Sequence, residues 1–196
     1  MRRRLTLIAL GAVALTAIIV VGLLQTRSSD RATGAAPKAL SLAEVSKPIA
    51  GAPPVLAALH GRVNELAGGG AKAFDAQLRA LRGHPVVVNL WASWCDPCRY
   101  ELPFLQRAAI DRGDQVAFLG VNVTDERGRA KQFASQYPMP YPSFEDLRGN
   151  LAGRYRARGL PATAFYDASG KLVIVHQGVF PTRQKLIDAL DRYARQ

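Results

Sequence analysis

One stretch limits what this chain can become. A β-branched apolar run, Val86-Val87-Val88-Asn89-Leu90-Trp91, leads through Ala92-Ser93 into Trp94-Cys95-Asp96-Pro97-Cys98, and an amphipathic pattern of helical period follows. The run reads as a buried central strand. The helix is expected from about Cys95 to Arg112, with Leu102, Leu105, Ala109 and Ile110 facing inward. A cysteine on the first turn of a helix sits at the positive end of the helix dipole, where its thiolate is stabilised. Cys98, one turn later, faces the same way and can attack a mixed disulfide formed at Cys95. This is the arrangement of a reversible dithiol, with Cys95 as nucleophile and Cys98 as resolving thiol. Pro97 presets φ at an early helical position without losing a hydrogen bond. Pro103, further in, predicts a kink.

These are the only 2 cysteines in 196 residues. The loop they close is too short to restrain an unfolded chain. With only His60, His84 and His176 to assist, at unrelated spacings, they cannot complete a four-ligand zinc site, so no metal is expected. Arg99 follows Cys98 where covalent haem attachment needs a histidine. Redox chemistry is left, with the Cys95–Cys98 pair itself as the redox group and no further cofactor. The three histidines are expected to be structural or exposed. Asp96 brings negative charge near the Cys95 sulfur, which makes the thiolate less stabilised and the couple more reducing. Its plain alternative is a helix N-terminal acid. The formal net charge is +11, but the basic residues are scattered without a block of five. A solvated basic surface is expected, and no nucleic-acid footprint.

Upstream, Met1-Arg2-Arg3-Arg4 precedes an uncharged run from Leu5 to Leu24, about 30 Å long as a helix and matched to a hydrocarbon core. Residues 1–26 are expected to be a single-pass anchor with a cytoplasmic N-terminus, which puts the rest outside. The alternative is a cleaved secretory signal and a secreted protein. Either way the cysteines work in an extracytoplasmic, oxidising compartment. Residues 27–54 are rich in Ala, Ser, Pro and Gly and read as a flexible tether reaching on the order of 30 Å. The domain then occupies 55–196. It opens on a helical extension over 55–82: a stripe of Val55, Leu56, Leu59, Val63 and Leu66 ended by Gly68-Gly69-Gly70, then Phe74, Leu78 and Leu81 ended by Gly83. After the central strand and its helix come a strand from Val116 to Val123 and a helix from Glu126 to Gln136. Tyr137 to Pro142 breaks that helix, and a short helix lies within 144–158. A hairpin of Ala162–Tyr166 and Leu172–His176 and a closing helix from Thr182 to Arg195 complete the chain.

Trp94-Cys95-Asp96-Pro97-Cys98, with Glu101 and Pro103, resembles the thioredoxin superfamily, and within it the membrane-anchored TlpA/ResA-like thiol–disulfide oxidoreductases. The resemblance runs from about Leu81 to the C-terminus. It implies an α/β thioredoxin fold, a central mixed sheet flanked by helices, with a TlpA-like insertion over 126–158. Such domains usually begin with an extended segment and a β-hairpin, where this chain shows two helical patterns. The resemblance places Glu101 beside the dithiol to raise thiol pKa values or relay protons; the alternative is a solvated helix acid. Asn89 falls where thioredoxin has a buried aspartate. Gly159-Leu160-Pro161-Ala162-Thr163 resembles the cis-proline loop, which would turn the Leu160 backbone outward to pair with a substrate segment beside Cys95. Trp94 would flank the thiol and offer apolar contact to substrate, while Trp91 belongs to the core. The implied duty is reduction of protein disulfides, often in cytochrome c maturation. There the client is an apocytochrome's C-x-x-C-H and the electron donor a membrane thiol carrier. A disulfide-donating oxidase or isomerase, and a non-catalytic binding or metal-carrier module, are the alternatives.

Overall fold

In a computed structural model, residues 38–194 are described. The expected membrane segment and the first part of the tether lie outside them. Among the described residues no helix is long and apolar enough to cross a membrane.

The order is α1 (Leu42–Val45), α2 (Pro54–His60), β1 (Leu66–Ala67), α3 (Gly70–Ala80), β2 (Val86–Trp91), α4 (Asp96–Arg112), β3 (Ala117–Val123), α5 (Arg127–Gln136), β4 (Ser143–Asp146), α6 (Asn150–Arg154), β5 (Ala162–Tyr166), β6 (Leu172–Gln177) and α7 (Arg183–Tyr193). One sheet runs β1-β4-β3-β2-β5-β6. The first three pairings are parallel, and β5 and β6 are antiparallel, so the sheet is mixed. β2 is buried along its whole length because helices cover both faces. Val86, Val88 and Leu90 pack with Phe74 of α3 and Leu151 of α6. Val87 and Trp91 pack on the opposite face with Leu102 and Leu105 of α4, Phe133 of α5 and Leu186 of α7. α4 continues without a break past Pro103, from Asp96 to Arg112.

The front of the domain departs from its periodicity. The stripe from Val55 to Leu66 predicts one helix up to the glycines, but α2 stops at His60, capped by Gly61. The chain turns through Asn64 at φ 57°, and Leu66–Ala67 becomes an edge strand beside β4. Asn64 holds the turn: its Oδ1 accepts from Met139 N–H at 3.1 Å and its Nδ2 donates to Ala134 O at 3.1 Å. Tertiary bonds to the segment before β4 thus override local helical spacing.

Residues 38–54, expected as part of a tether, are bound to the domain. Ser41 and Glu44 form a capping box around α1, and Val45 is fully buried. Buried Gln106 of α4 accepts from Leu40 N–H at 2.8 Å, and each ring nitrogen of His60 faces a carbonyl oxygen, Lys47 O at 2.8 Å and Pro140 O at 3.1 Å. Strand β4 was also hidden in the sequence. Ser143-Phe144-Glu145-Asp146 reads as polar, yet all four residues are buried.

Candidate active site

Cys95 is the N-cap of α4. Its Sγ accepts from Cys98 N–H at 3.2 Å, so the sulfur occupies the place of a capping side-chain oxygen at the positive helix end. The two cysteines are joined in a disulfide with Cα atoms 5.3 Å apart. Both are buried, Cys95 at 3 % exposure and Cys98 at 1 %. Trp94 beside them is 57 % exposed and donates Nε1–H to Thr124 O at 3.3 Å. Trp91 lies in the core, stacked on Phe133 at 5.2 Å, with its Nε1–H on Ser143 Oγ at 3.0 Å.

The Leu160–Pro161 peptide is cis. Half-buried Leu160 packs against both apolar clusters, one of which contains the two cysteines. Asp96 is exposed at the helix start, and Arg99 donates to its Oδ1 at 3.2 Å. Arg99 also donates to Ser93 O at 2.8 Å and lies over the Phe133 ring. The negative charge next to Cys95 is therefore partly answered by a cation one turn on, a pairing the sequence reading did not weigh.

Glu101, one turn after Cys98, is completely buried. Phe180 N–H donates to its Oε2 at 2.7 Å, and Asn89 Nδ2 reaches Oε1 at 3.4 Å. Burial pushes its carboxyl up from 4.5 to about 8, against the pull of the Phe180 bond. A solvated helix acid is excluded by this position. A carboxyl raised to about 8 is mostly neutral at pH 7 and ionises just above it. Tyr141 lies close by; burial, and next the Glu101 charge, push its phenol upward.

Asp125 is a site residue that sequence reasoning missed. Its carboxylate accepts from Ser93 N–H at 2.6 Å, Ser93 Oγ at 2.7 Å, Asn122 Nδ2 at 2.9 Å and Glu126 N–H at 2.9 Å. The loop that carries Trp94 and Cys95 is thereby tied to the end of β3. Thr124, just before it, is β-branched yet sits at φ 42°, an uncommon conformation for such a residue. Among the described residues, no group of three or more His, Cys, Asp or Glu side chains is placed to hold a metal ion.

With this geometry in place, comparison with known proteins is direct. Residues 65–175 match the AhpC/TSA family. The chain belongs to that family. Over 119 residues it is 30% identical to the thioredoxin-like protein YneN of Bacillus subtilis, covering 59% of this chain and 69% of the relative. It is 29% identical over 118 residues to the thiol-disulfide oxidoreductase ResA of Oceanobacillus iheyensis, covering 60% of this chain and 59% of that one. Among solved structures, it resembles a secreted Mycobacterium tuberculosis disulfide oxidoreductase homologous to E. coli DsbE. That likeness has a TM-score of 0.53 at 27% identity and covers 58% of this chain and 85% of the other. The fold is thus the thioredoxin-like one, and these relatives include proteins named as thiol–disulfide oxidoreductases. This AhpC/TSA chain carries its own pair at Cys95 and Cys98.

Proposed function

We infer that the chain is a thiol–disulfide oxidoreductase that reduces disulfides in client proteins. The observation that carries the reading is a cysteine pair at the start of α4, with Cys95 capping the helix and Glu101 buried one turn beyond Cys98. In the reduced protein, Cys95 thiolate attacks a client disulfide, a mixed disulfide forms, and one client sulfur leaves as a thiolate that solvent protonates. Cys98 then attacks Cys95 in the mixed disulfide. The Cys95–Cys98 bond forms, the bond to the client breaks, and two electrons have passed to the client. The ionised fraction of Glu101, which grows as pH approaches 8, takes the Cys98 proton as that sulfur attacks. Trp94 offers an exposed apolar face to the client, and the Leu160 backbone offers hydrogen bonds to an extended client segment.

We place the domain outside the cytoplasm, held by the apolar run Leu5–Leu24 or released after its cleavage, with a membrane thiol carrier as electron donor. Apocytochrome c, with its C-x-x-C-H, is the client to try first. The test is a trap. Cys98→Ser should retain its client as a covalent complex through Cys95 that dithiothreitol releases, and mass spectrometry identifies it. If Cys95→Ser keeps full biological activity, the chain is a binding module instead.

A further inference from the structure

Among the described buried atoms without a protein partner are Tyr141 OH, beside Glu101, and three on adjacent strands: Asn89 Oδ1, Thr163 Oγ1 and His176 Nε2. These three are not scattered. Asn89 of β2 stands opposite Thr163 of β5, and Thr163 stands opposite His176 of β6. Directly paired residues share one sheet face, with Cβ atoms about 5 Å apart. The row is on the α4 side, because Val87 and Phe165, two places along the same strands, belong to the cluster with the cysteines. Both ends of the row connect to Glu101: Asn89 Nδ2 reaches its Oε1 at 3.4 Å, and the His176 ring stacks at 4.0 Å on Phe180, whose backbone N–H donates to Glu101 Oε2. Glu101 and Thr163 are fully buried, whereas His176 is half-buried on the outermost strand.

Buried polar atoms without protein partners are normally satisfied by ordered water. A carboxyl with no path to solvent could not exchange the proton that its role requires. We propose that Asn89, Thr163 and His176 line a short file of water that carries a proton between Glu101 and the outer side of β6. The inference rests on the reading that Glu101 takes the Cys98 proton, and it adds the exit. Asn89 suits both protonation states: Nδ2 donates to the carboxylate, and a half-turn of the amide lets Oδ1 accept from the neutral acid. Thr163 is a positioning residue whose hydroxyl both accepts and donates, and His176 is the outer proton acceptor. In each turnover one proton leaves Cys98, crosses to Glu101 and passes along the file to solvent. The sulfur electrons follow the exchange already described. Tyr141, the other titratable group beside Glu101, is the competing route.

Single-turnover oxidation of the reduced full chain by oxidised glutathione, in H2O and D2O, tests this. Thr163→Val and His176→Ala should each slow formation of the Cys95–Cys98 bond about tenfold and enlarge the solvent isotope effect, a smaller loss than the ~10²–10⁴-fold of removing a general acid–base itself. The double variant should be no slower than the slower single one. Thr163→Ser should restore the rate, and imidazole should rescue His176→Ala. Glu101→Gln distinguishes the two levels: if it reacts at the wild-type rate, the role of Glu101 fails and the file with it. If Glu101→Gln is slow while Thr163→Val is normal, or only Tyr141→Phe is slow, the file alone is overturned. Should Thr163→Val not fold, His176→Ala and its rescue decide.

Discussion

Glu101 and Phe180 lie 79 positions apart, yet the backbone N–H of the second donates to Oε2 of the first at 2.7 Å. That bond fixes a carboxyl inside the domain, one turn from Cys98, and joins α4 to the segment between β6 and α7.

The carboxyl makes stability depend on pH. Glu101 holds its proton up to about 8 in the folded protein, against an ordinary 4.5. Between those values the folded state binds a proton that the unfolded chain has lost. Its contribution is therefore fully present below the lower value and is lost as pH rises through the upper one, at up to about 1.4 kcal/mol per pH unit. Urea unfolding of the oxidised protein should show this decline. Glu101→Gln should flatten it and, at pH 9, unfold at a higher urea midpoint than the wild type.

Removing Asp125 should loosen the loop that presents Trp94 and Cys95. Asp125→Ala deletes a charged acceptor of four hydrogen bonds and should cost about 2–4 kcal/mol in urea unfolding, with Asp125→Asn intermediate. Client reduction should fall with it, and Trp94 fluorescence should report a changed environment.

Gly120 faces Ser143 across β3 and β4. A Cβ there would overlap Ser143 Oγ and lie 2.9 Å from Ser143 Cβ and 3.0 Å from Trp91 Nε1. Gly120→Ala should lower stability by about 1–3 kcal/mol through overpacking, read as a reduced urea midpoint with an unchanged slope.

The core of the site was legible because its determinants are local. Six apolar-rich residues make β2, the helical period makes α4, and a three-residue spacing puts both sulfurs on one turn. β4 was not legible because its carboxylates are answered from elsewhere. Arg127 pairs with Glu145, and Asp146 Oδ2 accepts from Leu151 N–H and Ala152 N–H at 2.9 Å. Nothing within Ser143–Asp146 announces those partners. The same holds for Asp125, whose four donors are collected only when β3 and the Ser93 loop meet. At the front, Val63 and Leu66 continue the spacing of α2. The turn at Asn64 is set by its bonds to the segment around Met139, which no local pattern encodes.

The direction of electron flow is the central claim, and the reduction potential of the Cys95–Cys98 couple tests it most directly. Equilibrated against thiol–disulfide buffers at pH 7, a client reductase should titrate near the ~−270 mV of thioredoxin. A potential near ~−120 mV, that of a strong disulfide donor, would contradict it.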